Sequence, residues 1–397
     1  MKVCMVGIFH YLSDARVKGY AESLKQAGVM VDVLGIQGGT TSKVVDEKGV
    51  RVYSIPVHKT RRNQIRYLLE YSFSFLALGF VLTKLFLRNR YDIIHVHNMP
   101  DFLVFVGLIP KLLGAKIILD IHDPMPEVYL SKFPTKKGLG VALLRLEESF
   151  STRFADIVIT ANANFKKNLI GRGVPASKIT TINNFPDLTL FDRSKYLNEK
   201  RRNREYFTLI FPGTIAPRYG LDVAIRALPL IKKKIQNIKL LIIGRQDKYA
   251  KSLDSLANQL GVSSMVELKS GMPNDAIPKQ LALADIGIYP ALPDCHMSIA
   301  TPGKLLEFVA MGIPIISSRL KIVEEMFDDS AVVFFEPGNE NQFAQCVIEL
   351  YETPSLKDEI ICQADQVFAE KPSWEQEFQA YTDVLGRLLS EKKKVFE

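Results

Sequence analysis

The sequence predicts an α/β protein made of two doubly wound parallel sheets, one in each half of the chain. Three observations lead there. The chain opens with an apolar strand, KVCMVGIF (2–9), a helical pattern, and a second apolar strand, MVDVLGI (30–36). Strands with no polar alternation are those of a parallel sheet covered on both faces. The pattern continues through YDIIHVHN (91–98), AKIILDIHD (115–123) and ADIVITAN (155–162), with helical segments between them. It then restarts after a polar, charged stretch at 187–206, DLTLFDRSKYLNEKRRNREY, which reads as an interdomain linker.

In the first helix Val17, Tyr20, Ala21, Leu24 and Ala27 share a face, and Gly28 ends it. The second half runs YFTLIFPGTI (206–215) as strand, YGLDVAIRALPLIKKKI as helix, and IKLLIIG (238–244) as strand. YAKSLDSLANQLGV is helical, and SMVELKSG, ADIGIYPA (284–291), IPIISS (313–318) and AVVFFEP follow as strands. The end, WEQEFQAYTDVLGRLLSEKKK, is one long helical pattern, with Trp374 as its expected core anchor. Asp156 and Asp285 each follow an Ala at a strand start and read as turn or cap residues. Ligands of such folds sit beyond the carboxyl ends of the strands, and two such domains point to the cleft between them.

A length of 397 residues suits two domains, and 47% hydrophobic with 24% charged content suits a globular chain. The net charge is +8, but the runs KTRR (59–62), EKRRNR (199–204) and the KKK triplets at 232–234 and 392–394 lie far apart. They carry no aromatic interleaving, which argues against nucleic acid and for anionic small molecules or a membrane face. Cys4, Cys295, Cys346 and Cys362 are scattered, so neither a disulfide framework nor a cysteine zinc site is expected, and a reducing compartment is. The segment MKVCMVGIFHYLSDAR reads as a strand, not a signal peptide. The most apolar stretch, SFSFLALGFVLTKLFL (72–87), is shorter than the roughly 20 residues a bilayer span needs and contains Lys84. It reads as a buried helix. The basic HKTRRNQIR (58–66) before it keeps a peripheral membrane contact through 58–87 open.

The chemistry concentrates in ATPGKLLEFVAMGIPIISS (300–318). Thr301 can cap a helix, Pro302 suits its first position, Gly303 lets a ligand approach the backbone, and Gly312 ends it. A helix N-terminus at the carboxyl edge of a parallel sheet attracts anions. Lys304 opposes the dipole there unless an anion binds. Glu307 lies about 7 to 8 Å past Pro302 along the axis, the phosphate-to-ribose distance of a nucleotide. A carboxylate accepts from two vicinal hydroxyls. An ordinary surface pair of Lys304 and Glu307 is the plainer alternative. HVH at 95 and 97, with His122 and Asp123, could bind a divalent metal as in a hydrolase, although alternate strand residues share a face for ordinary reasons. Glu127 in HDPMPE could reach the cleft.

PGKLLEFVAMGIPII resembles the P-x-K-x-x-E-x-x-A-x-G-x-P segment of glycosyltransferase family 4, retaining enzymes of the GT-B fold. SDARVKGYAESLKQAGVMVDVL, YDIIHVHN, LDIHDPMPE, LIFPGTIAPRYGLDVAIRAL, LLIIGR and ALADIGIYP are similar to its other segments, in order. The resemblance implies two Rossmann-like domains facing a central cleft. Residues 1–190 form the acceptor-side domain and 205–373 the nucleotide-sugar-binding domain. The helix at about 374–397 packs back on the first.

The resemblance also implies site residues. Glu307 holds the donor ribose. Lys304 with Thr301, Pro302 and Gly303, and Gly213 with Thr214, contact the diphosphate. His122 faces the sugar, and Asp14 and Arg16 lie on the acceptor side. Two positions depart from the pattern. Ile299 stands where a first glutamate often contacts the sugar, leaving His296 or Ser298 to take over. The phosphate loop reads GTIAPRYG, so Thr214 and Tyr219 replace its two basic residues and Arg218 is the cation left.

The expected activity is a retaining hexosyl or N-acetylhexosaminyl transfer from a UDP- or GDP-sugar to a glycan or polyprenyl-linked acceptor in surface polysaccharide biosynthesis. No metal or other cofactor is expected. The expected location is the cytoplasm, peripheral to the inner face of the plasma membrane. A non-catalytic nucleotide-sugar-binding subunit on the same fold is the alternative.

Overall fold

The computed structural model describes residues 1–36, 45–56, 64–133, 138–197 and 205–396. The chain divides into two compact units, Met1–Asn184 with Glu375–Glu397, and Phe185–Trp374. The basic residues 58–63 fall outside the described residues.

The first unit holds β1 (Lys2–Gly7), β2 (Met30–Ile36), β3 (Val45–Glu47), β4 (Val50–Ile55), β5 (Ile93–His97), β6 (Lys116–Ile121), β7 (Ile157–Thr160) and β8 (Ile179–Thr181). They form one sheet in the order β3-β4-β2-β1-β5-β6-β7-β8, parallel except for the β3/β4 pair. The second unit holds β9 (Phe207–Pro212), β10 (Ile238–Ile243), β11 (Val266–Lys269), β12 (Ile286–Tyr289), β13 (Ile315–Ser318) and β14 (Val333–Phe335). Its order is β11-β10-β9-β12-β13-β14, all parallel. β5, β9 and β12 are buried along their whole length, as a sheet covered on both faces requires. The strand order reverses at β1/β5 and again at β9/β12. Loops diverge beyond the carboxyl ends of such strand pairs and leave a crevice.

Local signals place the helices. The Asp14 carboxylate accepts from the Val17 amide and caps the Ala15–Gln26 helix. Gly312 has φ +62°, its amide bonds Val309 O, and the Ile313 amide reaches back to Phe308 O. That double return closes the Gly303–Ala310 helix with the left-handed residue that glycine supplies most cheaply. Asp156 and Asp285 do more than cap. Each starts a strand and accepts a backbone amide of its neighbour, Ile117 (2.7 Å) and Thr208 (2.8 Å) respectively.

The structure adds elements that the sequence pattern did not show. β3, β4 and β8 are short or edge-side strands. β4 (VRVYSI) alternates buried and half-buried residues, so it lacks the continuous apolar run of the central strands. The polar segment from 187 is not simply a linker: Phe191 is buried in the second core, and Phe185, Leu190 and Tyr196 pack against it. Trp374 is half-buried. The buried aromatic of the last helix, Trp374–Phe396, is Tyr381, in the first unit. There Glu377 accepts from the Asn183 amide and side chain at 2.9 and 2.6 Å. The apolar stretch 72–87 lies within one helix, Gln64–Asn89. All four cysteines are free.

Candidate active site

In the second unit the β9 and β12 loops meet the head of the Gly303–Ala310 helix. Gly220, at φ +58°, ends the turn after β9, and a Cβ there would lie 2.0 Å from Pro290 O, so these loops close only on glycine. A Cβ on Gly213 would fall 3.2 Å from Lys304 Cε, so this glycine leaves the lysine its lane. The helix begins at Gly303 with Pro302 as N-cap and no side-chain cap. Thr301 therefore does not cap it: the turn falls one residue later than the sequence suggests, and no side chain competes for the first amides.

The Lys304 ammonium sits 4.8 Å from the Tyr219 ring centre, 5.0 Å from Phe211 and 5.2 Å from Tyr289. Aromatic faces hold a cation without neutralising it. Arg218 stacks on the same Tyr219 ring at 5.5 Å, and its Nε and Nη1 are buried with no hydrogen-bond partner among the described residues. Two cations thus share one aromatic ring, and neither makes a salt bridge to a carboxylate among the described residues. Thr214 is exposed beside them.

Glu307 lies one turn along the helix. Burial pushes its carboxyl up to about 7, only partly offset by the Lys304 charge. The ordinary surface pair is therefore a poor description: the carboxylate is desolvated and open to a ligand. Because the folded value lies above the unfolded one, this site stabilises the free protein most at acid pH and loses that contribution as pH rises through 7. Glu307→Gln is expected to raise stability relative to wild type at pH 8 by about 1–3 kcal/mol and by much less at pH 5. Thermal melts at the two pH values check this, and a pH-independent difference would contradict it.

Nearby, Ser298 donates to Asp294 O, and Asp294 accepts from the His296 and Met297 amides, so the loop holding Ile299 is a self-closed turn. His296 is buried.

In the first unit, register places His97 beside Asp120, and both are fully buried. Arg16 binds both Asp120 oxygens, at 2.7 and 3.0 Å, and also donates to Ile182 O and Asn184 Oδ1. Burial alone would raise the Asp120 carboxyl; the Arg16 charge, helped by His97 and His122, outweighs it and holds the group well below the usual range. His97 Nδ1 lies 3.2 Å and His95 Nε2 3.9 Å from Asp120 Oδ2. His95 Nδ1 meets the Tyr381 hydroxyl at 2.9 Å. Burial lowers both histidines, so they are neutral at neutral pH.

Among the described residues His95, His97 and Asp120 place donor atoms within 4.8 Å of one another; the motif reading completed the set with His122 and Asp123, and the structure brings Asp120 there instead. The Asp120 carboxylate, however, is already spent on a guanidinium. A dication would have to share it with that positive charge, so the set fits a buried structural network better than a metal site.

His122 follows the end of β6, half-buried. Its ring Nδ1 makes no hydrogen bond among the described residues, and its amide donates to Asn98 Oδ1 at 3.3 Å. Asp14 is used as a cap and Arg16 as the partner of Asp120. Glu127 is tied to Arg172 and Asn168. Lys304 and Arg16 were readable in the sequence, but Phe211 and Tyr289, the role of Tyr219 as part of the lysine's aromatic ring, and Asp120 were not. The available signal was the aromatic residue at or near the end of each switch-point strand.

Family comparison decides the identity. The model of "Glycosyl transferase 4-like domain" matches residues 13–184, and that of "Glycosyl transferases group 1" matches residues 192–367. The chain belongs to the group 1 glycosyltransferases. It is 22% identical to the chitobiosyldiphosphodolichol beta-mannosyltransferase of Candida albicans, over 85% of this chain and 78% of that one. Its fold is similar to sucrose-phosphate synthase from Thermosynechococcus elongatus (TM-score 0.79, 13% identity, 98% and 100% of the two chains). It is also similar to HepE of Anabaena, solved in complex with UDP-glucose (TM-score 0.74, 16% identity, 98% and 100% covered). The fold of this glycosyltransferase is GT-B, with two Rossmann-like α/β units.

Proposed function

We propose that this glycosyltransferase moves a sugar from a UDP- or GDP-sugar to a glycan or lipid-linked acceptor, with retention, in surface polysaccharide assembly. The pair of cations without a salt bridge among the described residues, Lys304 and Arg218, at the switch point of the second sheet carries the donor reading. A leaving nucleoside diphosphate gains negative charge as the sugar bond breaks. Fixed cations and uncapped helix amides stabilise that charge most in the transition state. Glu307 takes the ribose hydroxyls. The complex of HepE with UDP-glucose supports a nucleotide-sugar donor, and the diphosphodolichol in the Candida relative's name supports a lipid-linked acceptor.

Retention is supported by the carboxylates of the first unit. Asp120 is paired with Arg16 and Glu127 with Arg172, so neither is free to act as nucleophile or base. The departing phosphate then takes the acceptor proton. The engagement of Asp120 also supports a metal-free reaction. The free cysteines suit a cytoplasmic enzyme.

The test is a panel of UDP- and GDP-sugars in chelator, reading nucleoside diphosphate release and the anomeric configuration of the product by NMR. One donor is expected to be consumed with retention. His122→Ala is expected to reduce turnover at least 100-fold with an unchanged melt. Near-normal turnover in that variant would remove His122 from the reaction. Nucleotide binding without turnover would instead make the chain a binding subunit.

A further inference from the structure

The first unit carries an apolar face that its own fold leaves uncovered. The Gln64–Asn89 helix buries Leu78, Leu82, Leu85 and Phe86 in the core. Its opposite side presents Phe73, Leu76, Phe80 and Leu87, with Phe80 73% exposed. The Leu139–Phe154 helix is built the same way. Leu139, Leu143, Leu146 and Phe150 recur every three or four residues along one outward stripe, and Leu139 is 78% exposed. The Asp101–Leu112 segment packs against both helices, Phe102 against Phe75 and Phe105 against Phe154 at ring distances of 5.7 and 5.0 Å. It adds Leu112, 77% exposed. Scattered apolar residues are ordinary on a surface, but three neighbouring elements presenting leucine and phenylalanine together mark an interaction face.

The charges say what that face meets. On the described parts of these helices the exposed charged side chains are all cations: Lys84, Arg88, Arg145 and Arg153. Glu70, near the start of the first helix, is half-buried, and the two carboxylates of the second helix are engaged. Glu147 accepts the Phe102 amide at 2.8 Å, and Glu148 is held by Arg172. A wide apolar surface whose exposed charges are cations is complementary to a lipid bilayer with anionic headgroups.

We propose that this three-element face docks the protein on an anionic membrane surface, lying in the interface without crossing it. The Glu70–Asn89 stretch is long and apolar enough to span a bilayer. Crossing would strip Leu78, Leu82, Leu85 and Phe86 out of the core. The docking therefore uses the outer half of the helix and extends the contact suggested by residues 58–87 to a second helix and the segment between. It is independent of the donor site.

The test is flotation of the full chain with phosphatidylcholine vesicles, with and without about one third phosphatidylglycerol, alongside light scattering in solution. The protein is expected to float with the anionic vesicles. Binding is expected to drop at least tenfold in Phe80→Ser/Leu143→Ser and in Lys84→Gln/Arg145→Gln. If the serine variant melts earlier than wild type, the glutamine variant carries the test, because its residues are exposed. Three results would overturn the proposal: no flotation with either vesicle, flotation unchanged by both variants, or a stable dimer that the serine variant dissociates. Loss of flotation with nucleotide binding intact leaves the donor reading standing.

Discussion

Arg16→Met is expected to destabilise the protein by about 3–5 kcal/mol, the cost of leaving a buried charge unpaired. The Arg16 side chain is 8% exposed and Asp120 is fully buried, and the pair is bidentate. Removing the guanidinium leaves Asp120 with two neutral histidines. For a unit of this size the melting temperature should fall by roughly 6–20 °C. The double variant Arg16→Met/Asp120→Leu should recover much of the loss, since removing both charges also removes the desolvation that the pair repaid. Thermal melts of the single and double variants check this. A single variant that melts like wild type would show that solvent reaches Asp120.

Lys304→Met should act in the opposite way: activity falls and stability does not. Its ammonium lies among three aromatic rings, makes no salt bridge among the described residues and only partly offsets the burial of Glu307, so methionine can occupy the same lane as an apolar side chain. The melting temperature should hold or rise. kcat/KM for the nucleotide sugar should fall by about 10²–10³, as for the loss of one oxyanion-stabilising group. A matched loss of stability and activity would instead assign Lys304 a structural role. Trading stability for a cation held ready is the signature of a binding residue.

The central strands were legible because they are continuous apolar runs, from KVCMVG to IGIY, and the helix ends because Gly28 and Gly312 sit where the chain turns left-handed. β3 and β8 were not, being only three residues each, nor was β4, whose half-buried positions share their polar-apolar mixture with loops. In the candidate site, the placement of Lys304 and Glu307 on one short helix was legible from local spacing. The aromatic cradle was not, because Phe211, Tyr219 and Tyr289 come together only through the β9/β12 pairing. Asp120 escaped for the same reason: its pairing with Arg16 spans more than a hundred residues and follows from strand register, not from any local motif. Arg16 and Asp14 were legible as residues, and geometry then showed that one pairs with Asp120 and the other caps a helix.

The second unit is proposed to read a nucleoside diphosphate through Lys304, Arg218 and Glu307. The most direct measurement is a thermal-shift series with UDP, GDP, ADP and their sugars in chelator, on wild type and Glu307→Ala. A ligand at 100 times its Kd adds about 2.7 kcal/mol, which is roughly 5–11 °C for a unit of this size. Such a shift is expected for one base in wild type, with most of it lost in Glu307→Ala. No shift with any nucleotide, or an equal shift in both proteins, would contradict it.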